Sequence, residues 1–289
     1  YISDLPPPTL DNYYPLGTTG GANNTVNAIL VDSTTNPSYF HMGGSFTNIN
    51  GTAVSLVAKT DLSGAVIDTL NGGINGTSVN SLSYLTDLYV GGTFTTAVTG
   101  GTSLNNIGRY SGATGAWNSM GGGYSPGLNS TVNSIEVFDI ETKTIGGNFT
   151  ADSNSNDMAY VSRYDVSNNT FAPLQDPKIT PYGVNGTVRA VEVDAANNCI
   201  YVGGLFSIAG EIQATNVARY DLTNKKWESL LGLYTYDVSS SGVFSSSAGE
   251  GVGDGSVSGV YALYWDSVNG RLFVGGGFTS VQNGQVLPT

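Results

Sequence analysis

Short runs in which apolar and polar residues alternate occur five times along this chain. Each run starts at or next to a valine, here called the leading valine, and keeps the alternation for about six positions, which is the period-two pattern of a half-buried β-strand. The runs are TVNAILVD from Thr25, SVNSLSYL from Ser78, TVNSIEVFD from Thr131, TVRAVEVD from Thr187 and GVYALYWD from Gly259. The leading valines are Val26, Val79, Val132, Val188 and Val260. A similar strand is therefore expected at five places.

A second recurring segment is an apolar run that ends in two adjacent glycines. The continuous apolar character predicts a strand buried on both faces, and the glycines predict the close approach of a neighbouring backbone or a sharp bend. The pairs are Gly43 and Gly44, Gly91 and Gly92, Gly146 and Gly147, Gly203 and Gly204, and Gly275 and Gly276. Their spacings of 48, 55, 57 and 72 residues indicate a repeat architecture with one insertion.

Two further segments complete a unit. The third, as in NIGRYSGA, places a basic residue at one repeat position, which is occupied by Lys59, Arg109, Arg163 and Arg219. The fourth places a large side chain eight residues later, namely Ile67, Trp117, Phe171 and Trp227. A unit of four short strands with constant internal spacing is typical of a propeller blade. We predict an all-β fold, a β-propeller of four-stranded antiparallel blades, with about five blades visible and the last one incomplete.

The order of these residues resembles the kelch repeat, in which a Gly-Gly strand is followed by a Tyr and, six residues further on, by a Trp. The second unit has Gly91, Gly92, Tyr110 and Trp117, and the fourth unit has the same pattern ending at Trp227. The combination of YVGG.F, N[IV]xRY and WxxL is also similar to the kelch-like repeats of large secreted or cell-surface proteins, including fungal cortical markers of bud-site selection. The resemblance covers about residues 13–280 and implies a propeller, but it says little about activity because such propellers serve many roles.

The repeat also suggests how the chain is divided. Residues 1–12 are interpreted as an N-terminal extension and residues 13–289 as the propeller, with a Ser/Gly-rich inserted loop at 231–256. Tyr13 to Gly17 matches the fourth segment, so we expect it to complete the unfinished last blade. The strand that this closure still lacks is expected from chain beyond Thr289 or from another subunit. The units begin near residues 25, 78, 131, 187 and 259.

Composition excludes several classes of partner. Charged residues make up only 11% of the chain and the net charge is −12, so the clustered Lys and Arg that nucleic-acid binding needs are absent. No run approaches the 18 or so apolar residues of a membrane span. The single cysteine, Cys199, permits no internal disulfide and stands in an apolar strand, where it is expected to be a buried small hydrophobe.

The residues that catalysis uses are scarce. The chain has one histidine, His41, and one cysteine, so copper-radical, zinc and Ser-His-Asp sites lack the side chains they require. Acidic residues recur in two structural positions and are expected to form turns or to pair with Lys59, Arg163 and Arg219. They are Asp32, Asp194 and Asp266 at the ends of the first strands, and Asp61, Asp165 and Asp221 after the basic position. A calcium site in a turn such as the one from Asp165 stays open. We predict no catalytic, cofactor or metal site.

N-glycosylation sequons are the best functional clue. Four of them stand three or four residues before a leading valine, in the turn between blades, at Asn23, Asn75, Asn129 and Asn185. Asn50 and Asn168 are further candidates, whereas Asn148 is expected to be a poor acceptor because its strand looks buried. An alternative explanation is that Asn-Gly-Thr simply makes a good turn before a strand.

These observations favour an extracellular or cell-surface protein that is not an enzyme. The function predicted is a structural or adhesive glycoprotein, such as a subunit of an extracellular filament or coat, which associates with itself or with other extracellular proteins and glycans. The alternative is a binding module whose propeller face, including the loop at 231–256, recognises a carbohydrate or a protein.

Overall fold

The architecture is taken from a computed structural model, which describes residues 21–32, 38–123, 125–174, 183–230, 251–252, 259–278, 280–281 and 285–286. The described residues contain β-strands and no helix, and every pair of strands among them is antiparallel.

Two four-stranded sheets form the first part of the chain. In each sheet the strands lie side by side in chain order, which is the meander expected of a propeller blade. The first sheet and the short hairpin inserted in it comprise β1 (Val26–Asp32), β2 (Tyr39–Gly44), β3 (Asn48–Ile49), β4 (Thr52–Ala53), β5 (Val57–Thr60) and β6 (Val66–Asp68). The second sheet comprises β7 (Ile74–Tyr84), β8 (Leu88–Ala97), β9 (Ile107–Ser111) and β10 (Ala116–Ser119).

The next two sheets repeat this arrangement. The third comprises β11 (Val132–Val137), β12 (Thr142–Gly147), β13 (Val161–Asp165) and β14 (Thr170–Pro173). The fourth, again with an inserted hairpin, comprises β15 (Val188–Asp194), β16 (Cys199–Gly204), β17 (Ile208–Ala209), β18 (Ile212–Gln213), β19 (Val217–Asp221) and β20 (Lys226–Glu228). Two hairpins follow, β21 (Val260–Asp266) with β22 (Arg271–Gly276), and β23 (Ser280–Val281) with β24 (Gln285–Val286).

Each sheet, including the β21–β22 hairpin, opens with a first strand, and these are β1, β7, β11, β15 and β21. The first strands of successive sheets contact one another. The second strand of each sheet carries the Gly-Gly pair and is here called the glycine strand. It lies between the first and third strands in all four complete sheets.

The first strands share an irregularity one residue after the leading valine. The pairing shifts between Val26 and Ala28, and at the equivalent place in the other four first strands. An extra residue in one strand forms a β-bulge, which turns its side chain out of the ladder. The bulged residues are Asn27, Asn80, Asn133, Arg189 and Tyr261.

The hydrophobic core lies between successive sheets. One cluster joins the first and second sheets and includes Leu70 and Val79, and another joins the third and fourth sheets and includes Leu174 and Val188. Sheets that lie between two others bury both faces, and every residue of β16 is buried. The glycine strand β12 departs from the apolar pattern, because Lys143 and Thr144 are buried in it. The chain is therefore built as a series of stacked sheets.

The prediction of an all-β chain of four-stranded antiparallel sheets is confirmed, with four complete sheets and the β21–β22 hairpin in the described residues. The second unit begins earlier than its leading valine suggests, since β7 starts at Ile74. Residues 1–20 lie outside the described part of the chain, and so does most of the loop at 231–256. The predicted role of Tyr13 to Gly17 in closing the last blade stays a prediction.

Candidate functional site

In the four complete sheets the first glycine of the pair lies against the leading valine of the next sheet. A Cβ atom placed on Gly91 would lie 2.4 Å from Cγ1 of Val132, and the distances for the equivalent pairs in the first, third and fourth sheets are 2.3 to 2.5 Å. Real Cβ atoms essentially never come closer than 3.0 Å to another heavy atom. Glycine is thus required because the neighbouring valine occupies the space of a side chain. This contact is here called the valine seat.

The second residue of each pair must be glycine for a different reason. A Cβ atom on Gly92 would lie 2.2 Å from the carbonyl oxygen of Ser78, and the corresponding distances for Gly44, Gly147, Gly204 and Gly276 are 2.0 to 2.3 Å. That oxygen belongs to the residue before the leading valine of the same sheet. The first glycine of a pair therefore allows two sheets to approach each other. The second glycine allows two strands of one sheet to do so.

The bulged residues tie each sheet to the next. Asn27 donates its Nδ2 hydrogen to the carbonyl oxygen of Val79 at 2.9 Å, Asn80 donates to Val132 at 3.2 Å, and Asn133 donates to Val188 at 2.7 Å. At the fourth position Arg189 lies over the ring of Tyr261, with the guanidinium carbon 4.5 Å from its centroid. The bulge thus directs a polar side chain onto the next first strand.

The third and fourth strands supply the outer part of each sheet. Tyr110 pairs across the ladder with Trp117, Tyr164 with Phe171, and Tyr220 with Trp227, and the ring centroids lie 5.0 to 5.2 Å apart. The indole Nε1 of Trp117 donates to the carbonyl oxygen of Leu70 in the preceding sheet. In the first sheet the equivalent of the tryptophan, Ile67, is exposed.

Among the basic residues of the third strands, Lys59 pairs with an acid of the expected set, Asp32, whereas Arg109 and Arg219 pair with other acids. Lys59 Nζ lies 3.6 Å from Asp32, Arg109 lies 3.6 Å from Asp87, and Arg219 contacts Glu228. Arg163 lies over the ring of Phe138. Asp61, Asp165 and Asp221 form turns, since their Oδ1 atoms accept hydrogen bonds from nearby backbone N–H groups. Of the two alternatives for these acids, turn formation is the one observed.

Two titratable side chains are held between sheets. His41 stacks on Tyr84 of the second sheet, and burial, aided by the nearby charge of Lys59, lowers its pKa to about 4. Glu192 lies on β15, where burial and the charge of Glu136 raise its pKa to about 7. Burial also raises the pKa of Glu136. These shifts come from packing between sheets, and the alternating pattern of the strands did not indicate them.

The four asparagines that precede the leading valines lie at equivalent places in the first four sheets, where the first strands begin. This side of the molecule is here called the asparagine edge, and all four side chains are exposed. In Asn129, Oδ1 accepts hydrogen bonds from the N–H groups of Thr150 and Ala151, at 3.0 and 3.2 Å, while Nδ2 donates to Oγ1 of Thr150 at 3.1 Å. The side chain thereby caps the loop that follows the glycine strand.

The same cap occurs in two other sheets. Asn23 binds the N–H groups of Thr47 and Asn48, and Asn185 binds those of Ser207 and Ile208. In all four sequons Nδ2 donates to a Thr or Ser hydroxyl at 3.0 to 3.1 Å. An apolar residue directly before the asparagine fixes its position, and Ile74, Leu128 and Val184 are buried there. This apolar-Asn dipeptide is a signal that the sequence reasoning overlooked.

The remaining sequons lie away from this edge. Asn50 is half-buried, and its side chain accepts from the N–H of Gly21 and donates to the carbonyl of Gly64. Asn168 is exposed in the turn after β13, where it donates to Asp165. The expectation that Asn148 is buried is wrong, because β12 ends at Gly147 and Asn148 turns outward into solvent.

A cavity of about 460 Å³ opens between the second and third sheets on the asparagine edge. Threonine, asparagine and serine side chains line most of it, and Phe94 and Leu128 supply its apolar part. Asn129 is also part of its lining. The cavity therefore offers many hydrogen-bonding groups and little charge.

The described residues contain no group of three or more His, Cys, Asp or Glu side chains that could hold a metal ion. Cys199 is fully buried, and burial raises the pKa of its thiol. In the same part of the chain no helix has the length and apolar character needed to cross a membrane. His41, the one histidine, is buried and stacked as described above.

A family model described as the Rax2 C-terminal beta propeller domain matches residues 161–232, about a quarter of the chain. The matched segment runs from β13 through the whole fourth sheet. The Rax2 family consists of fungal cortical markers, so this part of the chain is similar to a propeller from such proteins. The match supports a propeller without singling out the kelch repeat. A comparison with curated proteins gives no match.

Proposed function

We propose that the chain is a non-catalytic structural module of a secreted or cell-surface glycoprotein. In this role the stacked sheets form a rigid body, and the asparagine edge carries N-linked glycans. Its partners are other extracellular proteins and glycans, or further copies of the chain. The similarity of residues 161–232 to a propeller of fungal cortical markers supports a location at the cell surface.

The asparagine edge is the observation that carries this proposal. Four exposed sequon asparagines occupy equivalent places in four successive sheets, so glycans attached there would project from one side of the molecule. Each Nδ2 donates a hydrogen bond to a hydroxyl, and Nδ2 of Asn75 also donates to the carbonyl oxygen of Ala97. A glycosylated amide nitrogen keeps one hydrogen and can still donate, so the loop cap and the modification are compatible. In this proposal the same asparagine both holds the loop and serves as the glycosylation acceptor.

The packing of the single histidine and the single cysteine supports a non-catalytic role. His41 is held neutral above about pH 4 in a stacked, buried position, and Cys199 is enclosed within β16. The asparagines at the bulges are engaged with the next sheet. These groups stabilise the stack and present nothing to a substrate.

Antibody labelling of source cells tests the location. Antibodies raised against the folded chain should label intact cells, and permeabilisation should add little signal because the protein lies outside the membrane barrier. An antibody to a cytosolic protein, which must stay silent on intact cells, controls for leakage. Labelling that requires permeabilisation would contradict the proposal.

The cavity between the second and third sheets favours a second candidate, a module that binds carbohydrate. Its lining of hydroxyl and amide groups beside Phe94 suits a sugar, which offers both hydroxyls and an apolar ring face. A glycan on Asn129 would project at the same cavity, so the two roles compete there. Titration calorimetry of the unglycosylated chain with a β-1,3-glucan hexasaccharide tests this candidate. Saturable binding that Thr93→Val weakens would favour it, and no heat of binding would exclude this ligand.

A further inference from the structure

We propose that the cavity between the second and third sheets holds the first N-acetylglucosamine of the chain's own glycan on Asn129. The inference names the occupant of this cavity, and it rests on the proposed glycosylation of the asparagine edge. A free sugar would then have to compete with a sugar that is covalently attached to the cavity wall.

Asn129 is both a sequon asparagine and part of the cavity wall. Its Oδ1 atom is fixed by the N–H groups of Thr150 and Ala151, and one hydrogen of Nδ2 is donated to Oγ1 of Thr150. A glycan replaces the other hydrogen of Nδ2. The first sugar is therefore bonded to an atom that the loop cap holds in place, and it starts at the wall of the cavity.

The rest of the wall offers hydrogen-bonding groups of both kinds. Asn105 and Asn106 donate their Nδ2 hydrogens to backbone carbonyl oxygens at 2.7 and 2.9 Å, which fixes the orientation of both amides. The Oδ1 atom of each amide has two lone pairs and can accept from a sugar hydroxyl or an acetamido N–H. The hydroxyls of Thr77, Thr95 and Ser153 also line the cavity and can donate as well as accept.

The apolar part of the wall suits the methyl group of N-acetylglucosamine. Phe94 and Leu128 border the cavity but are only 2% and 1% exposed, so each offers it a small apolar area. The sugar likewise combines several polar groups with one methyl group. A cavity of about 460 Å³ lies within the range of about 300–1,000 Å³ that is usual for small-molecule sites, so it has room for one sugar ring.

The covalent link favours the chain's own sugar over a free one. A short flexible link gives the attached group an effective concentration in about the millimolar range. A site with a Kd of about 1 mM is therefore about half filled or more by the attached sugar. A free sugar must reach a similar concentration to displace it, so glycosylation of Asn129 regulates access to the cavity.

NMR spectroscopy of the full chain, secreted from a eukaryotic host and trimmed with endoglycosidase H, tests this inference. The enzyme leaves one N-acetylglucosamine on each glycosylated asparagine, so the outer sugars of the host play no part. The acetamido methyl protons of the sugar on Asn129 should show nuclear Overhauser effects to the ring of Phe94. Asn129→Asp, which keeps an acceptor oxygen for the loop but loses the sugar, should lose these effects and shift the Phe94 signals.

Asn185→Asp is the matched control. Asn185 holds its loop by the same kinds of hydrogen bond, but it is not part of the cavity wall. Loss of its sugar should leave the Phe94 signals unchanged. Thr95→Leu places a larger apolar side chain in the cavity and changes no sequon, so it should abolish the effects at Phe94 while Asn129 stays glycosylated.

Titration with free N,N′-diacetylchitobiose measures the competition. In Asn129→Asp the disaccharide should shift the Phe94 signals and saturate at a concentration of about a few millimolar. In the trimmed wild-type chain the same shift should need a several-fold higher concentration, because the attached sugar already fills part of the sites. Equal titration curves for the two proteins would contradict the proposal.

The proposal is also wrong if Asn129 carries no sugar in the secreted chain, or if its sugar shows no effect at Phe94. It is equally wrong if Asn185→Asp shifts the Phe94 signals as much as Asn129→Asp does, or if the effects survive in Thr95→Leu. Near-ultraviolet circular dichroism establishes that each variant is folded. Because the host supplies the glycan, failure of this test would leave the cell-surface location untouched, since that rests on antibody labelling of source cells.

Discussion

At Gly91 the volume that a methyl group would need is already filled by Cγ1 of Val132 from the next sheet. Glycine in a strand usually costs stability, because it loses more conformational entropy than alanine on folding. Here that cost is outweighed by the fit between two sheets. The sequence predicts the close approach from the glycine pair itself, but not its partner, because the partner belongs to a different unit and depends on how the sheets stack.

Gly91→Ala should therefore lower the free energy of unfolding by about 1–3 kcal/mol, the usual cost of overpacking a core. Urea denaturation followed by tryptophan fluorescence measures the change. Gly275→Ala is the matched control and should change stability by less than about 0.5 kcal/mol, because its nearest neighbour among the described residues lies 3.9 Å away. Equal effects of the two substitutions would show that the valine seat does not explain the glycine.

Glu192 makes the stability depend on pH. Its pKa is raised from 4.5 to about 7 in the folded chain, so the folded state holds a proton that the unfolded state has released between these values. Stability contributed by the neutral carboxyl is therefore present below about pH 4.5 and is lost as the pH rises through about 7. Glu192→Gln cannot ionise and should escape this loss.

The melting temperature of Glu192→Gln minus that of the wild type should accordingly increase from pH 4.5 to pH 7.5. The equivalent free energy is about 2 kcal/mol, less than the full pKa shift would give, because solvent screens this half-buried carboxyl. His41 acts with the opposite sign, because its lowered pKa removes stability as the pH falls from 6.5 towards 4. Comparing variant with wild type at each pH cancels that contribution. Glu211→Gln, at an exposed position, is the control. A difference that stays flat with pH would contradict the assignment.

At the scale of the element, the loop after each glycine strand is held by an asparagine from the start of the first strand. Sequence patterns located the strands well, because alternation and the Gly-Gly pair report directly on burial. They placed Asn148 wrongly, since an apolar run gives no sign of where the strand ends and the chain turns outward. The loop cap was also missed, because it joins residues that are 21 or more positions apart.

Two substitutions at Asn129 separate its structural role from its role as a sequon. Asn129→Ala removes the acceptor for two backbone N–H groups and should cost about 1–3 kcal/mol. Asn129→Asp keeps a carboxylate oxygen in the same place, so most of this stability should remain although the sequon is lost. Thermal unfolding of unglycosylated protein measures both. A loss in the aspartate variant as large as that in the alanine variant would argue against the cap.

At the scale of the whole molecule, stability comes from the junctions between sheets, each built from a valine seat, a bulged polar residue and an apolar cluster. The repeat in the sequence predicted the sheets and their order, because each unit carries the same four segments. It did not reveal which residues meet at a junction, since each valine seat joins residues of two different units.

The account as a whole depends on the asparagine edge being a glycosylated surface outside the cell. Mass spectrometry of the protein purified from its source cells, after enzymatic release of N-glycans in ¹⁸O-labelled water, identifies every asparagine that carried a glycan. The account predicts labelled aspartate at Asn23, Asn75, Asn129 and Asn185. Unmodified asparagine at all four positions would contradict it.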